Sequence, residues 1–187
     1  MRPILLLCLG LFLASPANAT EPEPARATAE RLVEETYAAL TASTPDDARL
    51  KAAIEAAFAF DIWEQFLLGE RAAALSPAQQ ERFRALLPGF LADLYKTQFG
   101  QGLAGRPEIR DVRAARRDQL VRAAIPREGA DPLPVDWRVR AFGEAHKVID
   151  VMVGGVSFLV LKREEFAAIL KREGGDGLLA HMEANSL

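Results

Sequence analysis

Cysteine is almost absent from this chain of 187 residues, and its scarcity excludes several kinds of chemistry. The single cysteine, Cys8, lies in a segment that we expect to be removed from the mature protein. The mature chain would then have no disulfide bond, no thiolate nucleophile and no cysteine ligand for a metal ion. Its stability must come from a packed core, which a composition that is 50% hydrophobic can supply.

An apolar run long enough to cross a membrane is also lacking. The N-terminal run from Ile4 to Leu13 has ten residues, about half of the roughly 20 that a spanning helix needs. It follows the positive Arg2 and precedes Ala17-Asn18-Ala19, a small-residue pattern that is typical of a signal peptidase site. This order of features indicates a secretory signal peptide.

The predicted domain boundaries follow from that leader. We expect a signal peptide over residues 1–19, cleaved after Ala19, and one domain over residues 20–187. An uncleaved anchor is the alternative. A lipoprotein processed at Cys8 is excluded because only seven residues precede that cysteine, too few for a charged region and an apolar run.

Basic residues are fewer than acidic ones: the chain has 23 Lys and Arg and 26 Asp and Glu, which gives a formal net charge of −3. Domains that bind nucleic acid are usually basic, so we do not expect nucleic acid as the main partner. A local basic cluster could still meet anionic lipid or a protein partner, although a solvated strand edge is the alternative interpretation. The cluster consists of Arg106, Arg110, Arg113, Arg116 and Arg117.

Residues that usually carry catalysis are few. His146 and His181 are the two histidines, and neither has a second ligand at metal-binding spacing. No nucleophile elbow, phosphate loop or dinucleotide fingerprint is present in the sequence. Asp136 and Asp150 are expected on the charged faces of adjacent strands, where cross-strand ion pairs or an acid pair of raised pKa could form. We predict that the protein is not an enzyme and has no catalytic residue, metal site or cofactor.

Apolar residues are plentiful, and before residue 100 they recur with helical period. The clearest case starts at the capping signal Ser76-Pro77 and is expected to kink at Pro88. Four helices are predicted here: residues 25–41, a helix capped by Thr44, residues 61–68 and the helix that follows Ser76.

The period changes to two further along the chain. Val135, Trp137 and Val139 alternate with charged residues, which predicts a strand with one apolar face. Similar strands are predicted near residues 109–116, 119–125 and 148–153, and helix returns after Ser157 with a break at Gly174-Gly175. The order of elements indicates an α+β fold, with helices on one side of a twisted antiparallel four-stranded sheet.

Three ordered sets of motifs resemble the MlaC, or toluene-tolerance, family of periplasmic substrate-binding proteins. The first set is Phe60-Asp61-Ile62, Leu67-Leu68-Gly69, Leu75-Ser76-Pro77 and Gln80-Glu81-Arg82-Phe83. The second is Val135-Asp136-Trp137-Arg138-Val139. The third is Lys147-Val148-Ile149-Asp150-Val151, Gly155-Val156-Ser157, Arg163, Phe166 and Ile169-Leu170. The sequence departs from the family pattern after Gly69, at Gly154 and at Leu161-Lys162.

The resemblance implies a periplasmic carrier that moves phospholipid between the outer and inner membranes. It implies a bound phospholipid in place of a cofactor, and partnership with an inner-membrane ABC transporter complex and an outer-membrane lipoprotein complex. Such systems maintain the lipid asymmetry of the outer membrane, and we expect the carrier to be a monomer. A hopanoid or another apolar ligand is the alternative cargo within the same family.

A carrier of this kind needs an apolar pocket with room for hydrocarbon, enclosed by the sheet and the helices. We expect the lipid tails to lie between the apolar sheet face and the kinked helix. The predicted lining is Phe90, Leu91, Leu94, Tyr95, Trp137, Val139, Val151, Val153, Phe158 and Leu159. Two other functions stay open at this point: a small-molecule enzyme on a cone-shaped α+β fold, and an adaptor with a filled core.

Overall fold

A computed structural model describes residues 22–187 of the protein. The predicted signal peptide therefore lies outside the described residues. The helices are α1 (Pro22–Thr41), α2 (Asp47–Ala57), α3 (Phe60–Leu68), a short 3₁₀ helix (Gly69–Ala74), α4 (Pro77–Phe99) and α5 (Phe158–Ala184). The strands are β1 (Glu108–Ala115), β2 (Asp118–Arg127), β3 (Ala130–Phe142), β4 (Ala145–Val153) and β5 (Val156–Ser157).

Two of the helix starts show where sequence signals for capping hold and where they fail. At α4, Ser76 Oγ accepts from the Gln79 amide at 3.3 Å and the Gln79 side chain accepts from the Ser76 amide at 2.9 Å, which is the predicted capping box. The predicted Thr44 cap of α2 is wrong. The Asp46 carboxylate accepts from the Arg49 amide at 2.9 Å and caps the helix instead, so α2 begins at Asp47.

Proline and glycine affect the helices in three ways. Helix α1 begins at Pro22, earlier than predicted, because proline fits the first turn of a helix, where no amide partner is needed. Helix α4 continues through Pro88 to Phe99. Helix α5 is interrupted at Gly174, whose φ of 70° and ψ of −168° are not helical, at the position where the sequence predicts a break.

The five strands form one antiparallel sheet in the order β1-β2-β3-β4-β5. The sequence predicts four strands, and the fifth is the two-residue β5, too short to leave an alternating pattern. At its outer edge β4 also pairs with the chain before α3, where the Ala59 amide donates to the Val148 carbonyl at 3.1 Å. The outer edge of β4 is therefore paired at both ends, which protects it from further strand pairing.

The two faces of the sheet differ in polarity as the alternation predicts. Trp137 lies opposite Val121 on one neighbouring strand and Val151 on the other, so one face is apolar across three strands. Helix α1 contacts β1, β2, β3 and β4, and helices α2, α3 and α5 contact β4. The opposite face is polar and carries Asp118, Arg122, Asp136, Arg138 and Arg140.

The core lies between the apolar sheet face and the helices. Aromatic side chains fill much of it: Phe58 packs edge-on against Trp63 and Tyr95, with ring centroids 5.6 and 6.3 Å away. Phe83 and Phe166 pack edge-on between α4 and α5 at 5.9 Å. None of the described helices is long and apolar enough to cross a membrane.

Candidate functional site

The apolar space between α1, α4 and the sheet is the candidate site, and we call it the Trp137 cleft. Residues of α1 form one wall, Tyr95 and Phe99 of α4 form a second, and Ile125 and Trp137 of the sheet form the floor. The segment between α4 and β1 closes one end. The full lining is Val33, Thr36, Tyr37, Leu40, Tyr95, Phe99, Leu103, Pro107, Ile125 and Trp137.

The lining contains no charged residue, and its buried polar groups bond to one another or to the backbone. Trp137 Nε1 donates to Tyr95 Oη at 2.9 Å, which joins β3 to α4. Thr36 Oγ1 donates to the Leu32 carbonyl of its own helix at 2.7 Å. Burial raises the pKa of Tyr95, so its phenol stays neutral at any physiological pH. The cleft therefore suits a hydrocarbon and offers nothing to bind an ion.

The cleft is closed in this structure, with a cavity volume of about 10 Å³. That is about the space of a single water molecule. Tyr95 and Phe99 fill much of the remaining room, with ring centroids 4.6 Å apart. An acyl chain can enter only if one of the walls moves away from the sheet, so the roomy pocket expected from the sequence is not present in this conformation.

The polar contacts beside the cleft differ in strength. Arg106, in the segment before β1, pairs with Glu34 of α1 at 2.7 Å, and both side chains are more than half exposed. Exposed pairs of this kind contribute about 0–1 kcal/mol. The segment before β1 is held more firmly to the sheet, because the Ala104 amide donates to the Pro126 carbonyl at 3.0 Å and the Glu128 amide donates to the Gly102 carbonyl at 2.9 Å. The Arg106–Glu34 pair is therefore weaker than the backbone bonds of the segment before β1, although α1 is also held by the buried side chains of Ala29, Leu32 and Val33.

The structure divides the ten residues predicted to line the pocket. Tyr95 and Trp137 meet in the Trp137 cleft. Val139, Val151 and Val153 lie on the apolar sheet face with Trp137, and Val151 is directly opposite it. Leu91 and Leu159 are buried in the core around the cleft, and Phe158 packs against that core.

Phe90 and Leu94 lie elsewhere, at the contact between α4 and α5. The Phe90 ring packs against Phe166 at 5.4 Å. With Leu94 it borders a separate surface pocket of about 200 Å³. That pocket is charged, because Lys162 and His181 both contact Glu165 there, at 2.7 and 2.9 Å.

Sequence reasoning missed the α1 wall. Val33, Tyr37 and Leu40 lie on the apolar side of a predicted helix, but helical period alone does not say which sheet or helix that side covers. The signal that could have found them is the length of α1: at 20 residues it extends about 30 Å, enough to lie across the four long strands.

Asp136 and Asp150, the two acidic residues singled out on the sheet, each bond to a different set of partners. Asp136 accepts from Arg122 Nε at 2.8 Å and from its terminal nitrogen at 3.1 Å, a cross-strand ion pair of the kind that the sequence allows. Asp150 accepts from the Ser157 hydroxyl at 2.9 Å and from the Val151 amide at 2.8 Å. Burial raises the pKa of Asp150.

His146, one of the two histidines, lies at the start of β4. His146 Nδ1 lies 3.3 Å from the Glu144 carbonyl, and its buried Nε2 has no hydrogen-bond partner among the described residues. Within residues 22–187, no group of three or more His, Cys, Asp or Glu side chains could hold a metal ion.

Comparison with known proteins relates the chain to a protein family and to a solved structure. The profile of the family described as MlaC protein matches residues 28–184. The solved structure is a phospholipid-binding protein from Ralstonia solanacearum in complex with a phospholipid. It superposes with a TM-score of 0.68 at 21% sequence identity, over 86% of this chain and 96% of the other. No curated protein matches the chain.

Proposed function

Because the chain belongs to the MlaC family, we propose that it is a periplasmic carrier that binds phospholipid by its acyl tails. The observation that carries this proposal is the uncharged Trp137 cleft, enclosed by α1, α4 and the apolar sheet face. The similar fold of a protein solved with a bound phospholipid supports the same ligand class. The carrier requires no base, nucleophile or metal ion, and the proposed role is transport without catalysis.

The physical need for a carrier comes from the cost of exposing lipid tails to water. At about 0.8 kcal/mol per methylene, two acyl chains with roughly 28 methylenes cost on the order of 20 kcal/mol to hydrate. A protein that covers most of the tails removes most of that barrier. The headgroup can stay in solvent, which agrees with a cleft that offers no charged group.

Loading requires the cleft to open. Since α1 crosses the sheet and is tied to the segment before β1 by the exposed Arg106–Glu34 pair, we propose that α1 swings away from Trp137 as tails enter. The Tyr95–Trp137 hydrogen bond stays inside the core and keeps the floor of the cleft in place.

We further propose the setting that the family resemblance implies. A cleaved leader would export the chain to the periplasm. There, as a monomer, it would exchange lipid with an inner-membrane ABC transporter complex and an outer-membrane lipoprotein complex, and so help to maintain outer-membrane asymmetry. Copurification of either complex with the exported chain would test this part, and cytoplasmic retention of the chain would contradict it.

The first experiment identifies the cargo. Protein purified from the periplasm without detergent is analysed by native mass spectrometry and by lipid extraction, and about one phospholipid per chain is expected. A hopanoid in place of phospholipid would change the cargo but not the carrier role. Protein that carries no lipid and takes none from vesicles would contradict the proposal.

The second experiment locates the tails, and it uses the fact that the chain has two tryptophans. Trp63→Phe leaves Trp137 as the reporter in the cleft, whereas Trp137→Phe leaves Trp63, buried on α3 behind Phe58. Phospholipid with brominated acyl chains quenches tryptophan at short range. We expect strong quenching in Trp63→Phe and weaker quenching in Trp137→Phe. Equal quenching in both, or quenching of Trp63 alone, would place the tails outside the Trp137 cleft.

A further inference from the structure

Four arginines meet on the polar face of the sheet, at the end opposite the segment that closes the Trp137 cleft. Arg116 and Arg117 form the two-residue turn between β1 and β2, and Arg138 and Arg140 lie on β3. Together they line a surface pocket of about 380 Å³, which we call the arginine pocket.

One carboxylate organises the floor of this pocket. Asp118 has no exposed side-chain area, and it accepts from Arg138 Nε at 2.6 Å and from Arg140 Nε at 2.6 Å. Burial would raise the pKa of Asp118, but the hydrogen bonds from Arg140 and Arg138 outweigh it and hold the pKa below its usual value. Asp118 therefore remains negative and fixes two guanidinium groups at the sheet surface.

The charge of the pocket is nevertheless unbalanced. Arg116 and Arg117 are exposed, and neither forms an ion pair with any residue in the described part of the chain. Four guanidinium groups thus line the pocket, and the Asp118 carboxylate at its floor pairs with two of them, those of Arg138 and Arg140. Asp150 lies opposite Arg138 on β4 and interacts with it electrostatically, so with Asp118 and Asp150 both ionised the formal excess is two positive charges, those of Arg116 and Arg117, which attract an anion.

The remaining arginines of the predicted basic cluster are different. Arg110 pairs with Glu108 at 2.6 Å and Arg113 with Asp111 at 3.4 Å, both on β1 itself. Arg106 pairs with Glu34 of α1. The structure therefore separates Arg116 and Arg117 from the other three and joins them to Arg138 and Arg140, which lie more than 20 residues away in sequence.

The turn itself is conformationally unusual. Arg116 has a φ of 61°, in the left-handed region that glycine adopts most easily. Glycine is common at such turn positions, so the arginine here is held against its backbone preference. Strained residues of this kind are frequent at binding sites.

An exposed aromatic residue lies at the same end of the sheet as the pocket. The pairing of Gln119 with Val139 brings the β1–β2 turn level with the end of β3, where Phe142 stands 39% exposed. An aromatic ring at the same end of a sheet as unpaired arginines is typical of a surface that meets the headgroup region of a bilayer, where the ring contacts the apolar boundary and the arginines contact phosphate.

We propose that the arginine pocket binds the phosphate groups of anionic lipid headgroups, and that this end of the sheet docks on an anionic bilayer with Phe142 at the interface. Guanidinium groups bind phosphate oxygens through paired N–H donors, which suits a pocket lined by arginine alone. This surface is separate from the tail site: the lipid headgroups it contacts belong to the membrane and not to the carried molecule.

The test measures binding to phospholipid vesicles by co-sedimentation. The double variant Arg116→Gln/Arg117→Gln is compared with Arg110→Gln/Arg113→Gln, which removes the same charge from the same hairpin but from arginines that have partners on β1. With phosphatidylglycerol vesicles at moderate salt, we expect the first variant to bind on the order of 30-fold more weakly, because each basic residue near an anionic surface contributes roughly fivefold in affinity. The second variant should lose much less affinity for the vesicles, because Arg110 and Arg113 lie outside the pocket, where salt screens their attraction to the membrane.

Three outcomes would overturn the proposal. Equal losses in the two double variants would mean that net charge alone drives binding. Equal binding of the parent to phosphatidylglycerol and phosphatidylcholine vesicles would mean that no anion site is involved. Saturable binding of inorganic phosphate that depends on Arg116 and Arg117, without vesicle binding, would assign the pocket to a soluble anion.

A further variant separates the bilayer from free phosphate. Phe142→Ser should weaken vesicle binding several-fold and leave the response of the arginine side-chain resonances to inorganic phosphate unchanged. The lipid content of the purified Arg116→Gln/Arg117→Gln variant should equal that of the parent. The docking surface and the carrier role can therefore fail independently.

Discussion

The hydrogen bond from Trp137 to Tyr95 joins the sheet to α4 inside an apolar core. Tyr95→Phe removes the acceptor and leaves a buried indole N–H without a partner, which should lower the free energy of unfolding by about 1–3 kcal/mol. Urea denaturation measures this. Tyr37→Phe is the matched control, because Tyr37 lines the same cleft but its hydroxyl has no hydrogen bond with any described residue. We expect that control to stay within about 0.5 kcal/mol of the parent, and equal losses in both variants would contradict the argument.

Asp118 predicts a dependence of stability on pH. Its pKa is lower in the fold than its usual 3.8, so ionised Asp118 stabilises the protein above that pH and the stabilisation is lost as the pH falls through the folded pKa. Asp118→Asn should lower the free energy of unfolding by about 2 kcal/mol near neutral pH, because Arg138 and Arg140 lose their shared partner.

The measurement for Asp118 is a series of denaturation curves from about pH 7 to about pH 2.5, a range that brackets the titration of a carboxyl group. The difference in the free energy of unfolding between the parent and Asp118→Asn should become smaller at the acid end of this range. The control is Asp111→Asn, whose pair with Arg113 is about half exposed and should matter little at any pH. If that difference stays constant across the whole pH range, the ionised form of Asp118 is not what stabilises the protein.

At the scale of elements, Gly174 divides α5 into two segments and turns the second back toward α4. The Gln79 side chain, which caps α4, also donates to Asp176 Oδ1 at 2.7 Å just after the break. The φ of 70° and ψ of −168° at Gly174 lie in a region that is open essentially to glycine only. Gly174→Ala should therefore cost about 1–3 kcal/mol, measured by thermal unfolding.

The exposed Lys171, three residues before that break, provides the control for Gly174→Ala. Lys171→Ala changes the same helix without altering its backbone and should shift the free energy of unfolding by less than about 0.5 kcal/mol. If Gly174→Ala lowered the free energy of unfolding no more than Lys171→Ala, α5 would tolerate a continuous helix. The break would then not be needed to place Leu178 and Met182 in the core.

The elements could be predicted from the sequence wherever one local pattern decides them. Alternation gave β3 and its two faces, and Ser76 with Gln79 gave the start of α4, because neighbouring residues determine both. Thr44 was wrong as a cap because two residues on, Asp46 competes for the same role with a carboxylate. Packing partners could not be predicted: Phe90 turns toward α5 and Val33 of α1 toward the cleft, and such choices depend on contacts far apart in sequence.

At the scale of the whole molecule, the sheet separates two kinds of surface. Its apolar face closes the Trp137 cleft together with α1 and α4, and its polar face carries the arginine pocket. Because successive side chains of a strand point to opposite faces, Trp137 and Arg138 can serve the two surfaces from adjacent positions. A carrier that docks through one face and holds its cargo behind the other need not use the same residues for both tasks.

The volume of the cleft sets the last prediction. Two acyl chains of about 28 methylenes occupy on the order of 800 Å³ if each methylene takes about the 30 Å³ of a liquid water molecule. The cleft has about 10 Å³, so loading requires an element to move, and α1 is joined to the segment before β1 by the exposed Arg106–Glu34 pair and to the core by buried side chains such as Val33. Hydrogen exchange should therefore differ between delipidated and phospholipid-loaded protein in residues 33–41, and hardly at all in β2 and β3. The variant Glu34→Gln should raise the rate of lipid uptake from vesicles by a few-fold, whereas Glu30→Gln, one turn earlier on α1 and paired with Arg26 of the same helix at 3.8 Å, should not. Exchange that changes in β2 and β3 but not in α1 would mean that the tails enter by another route.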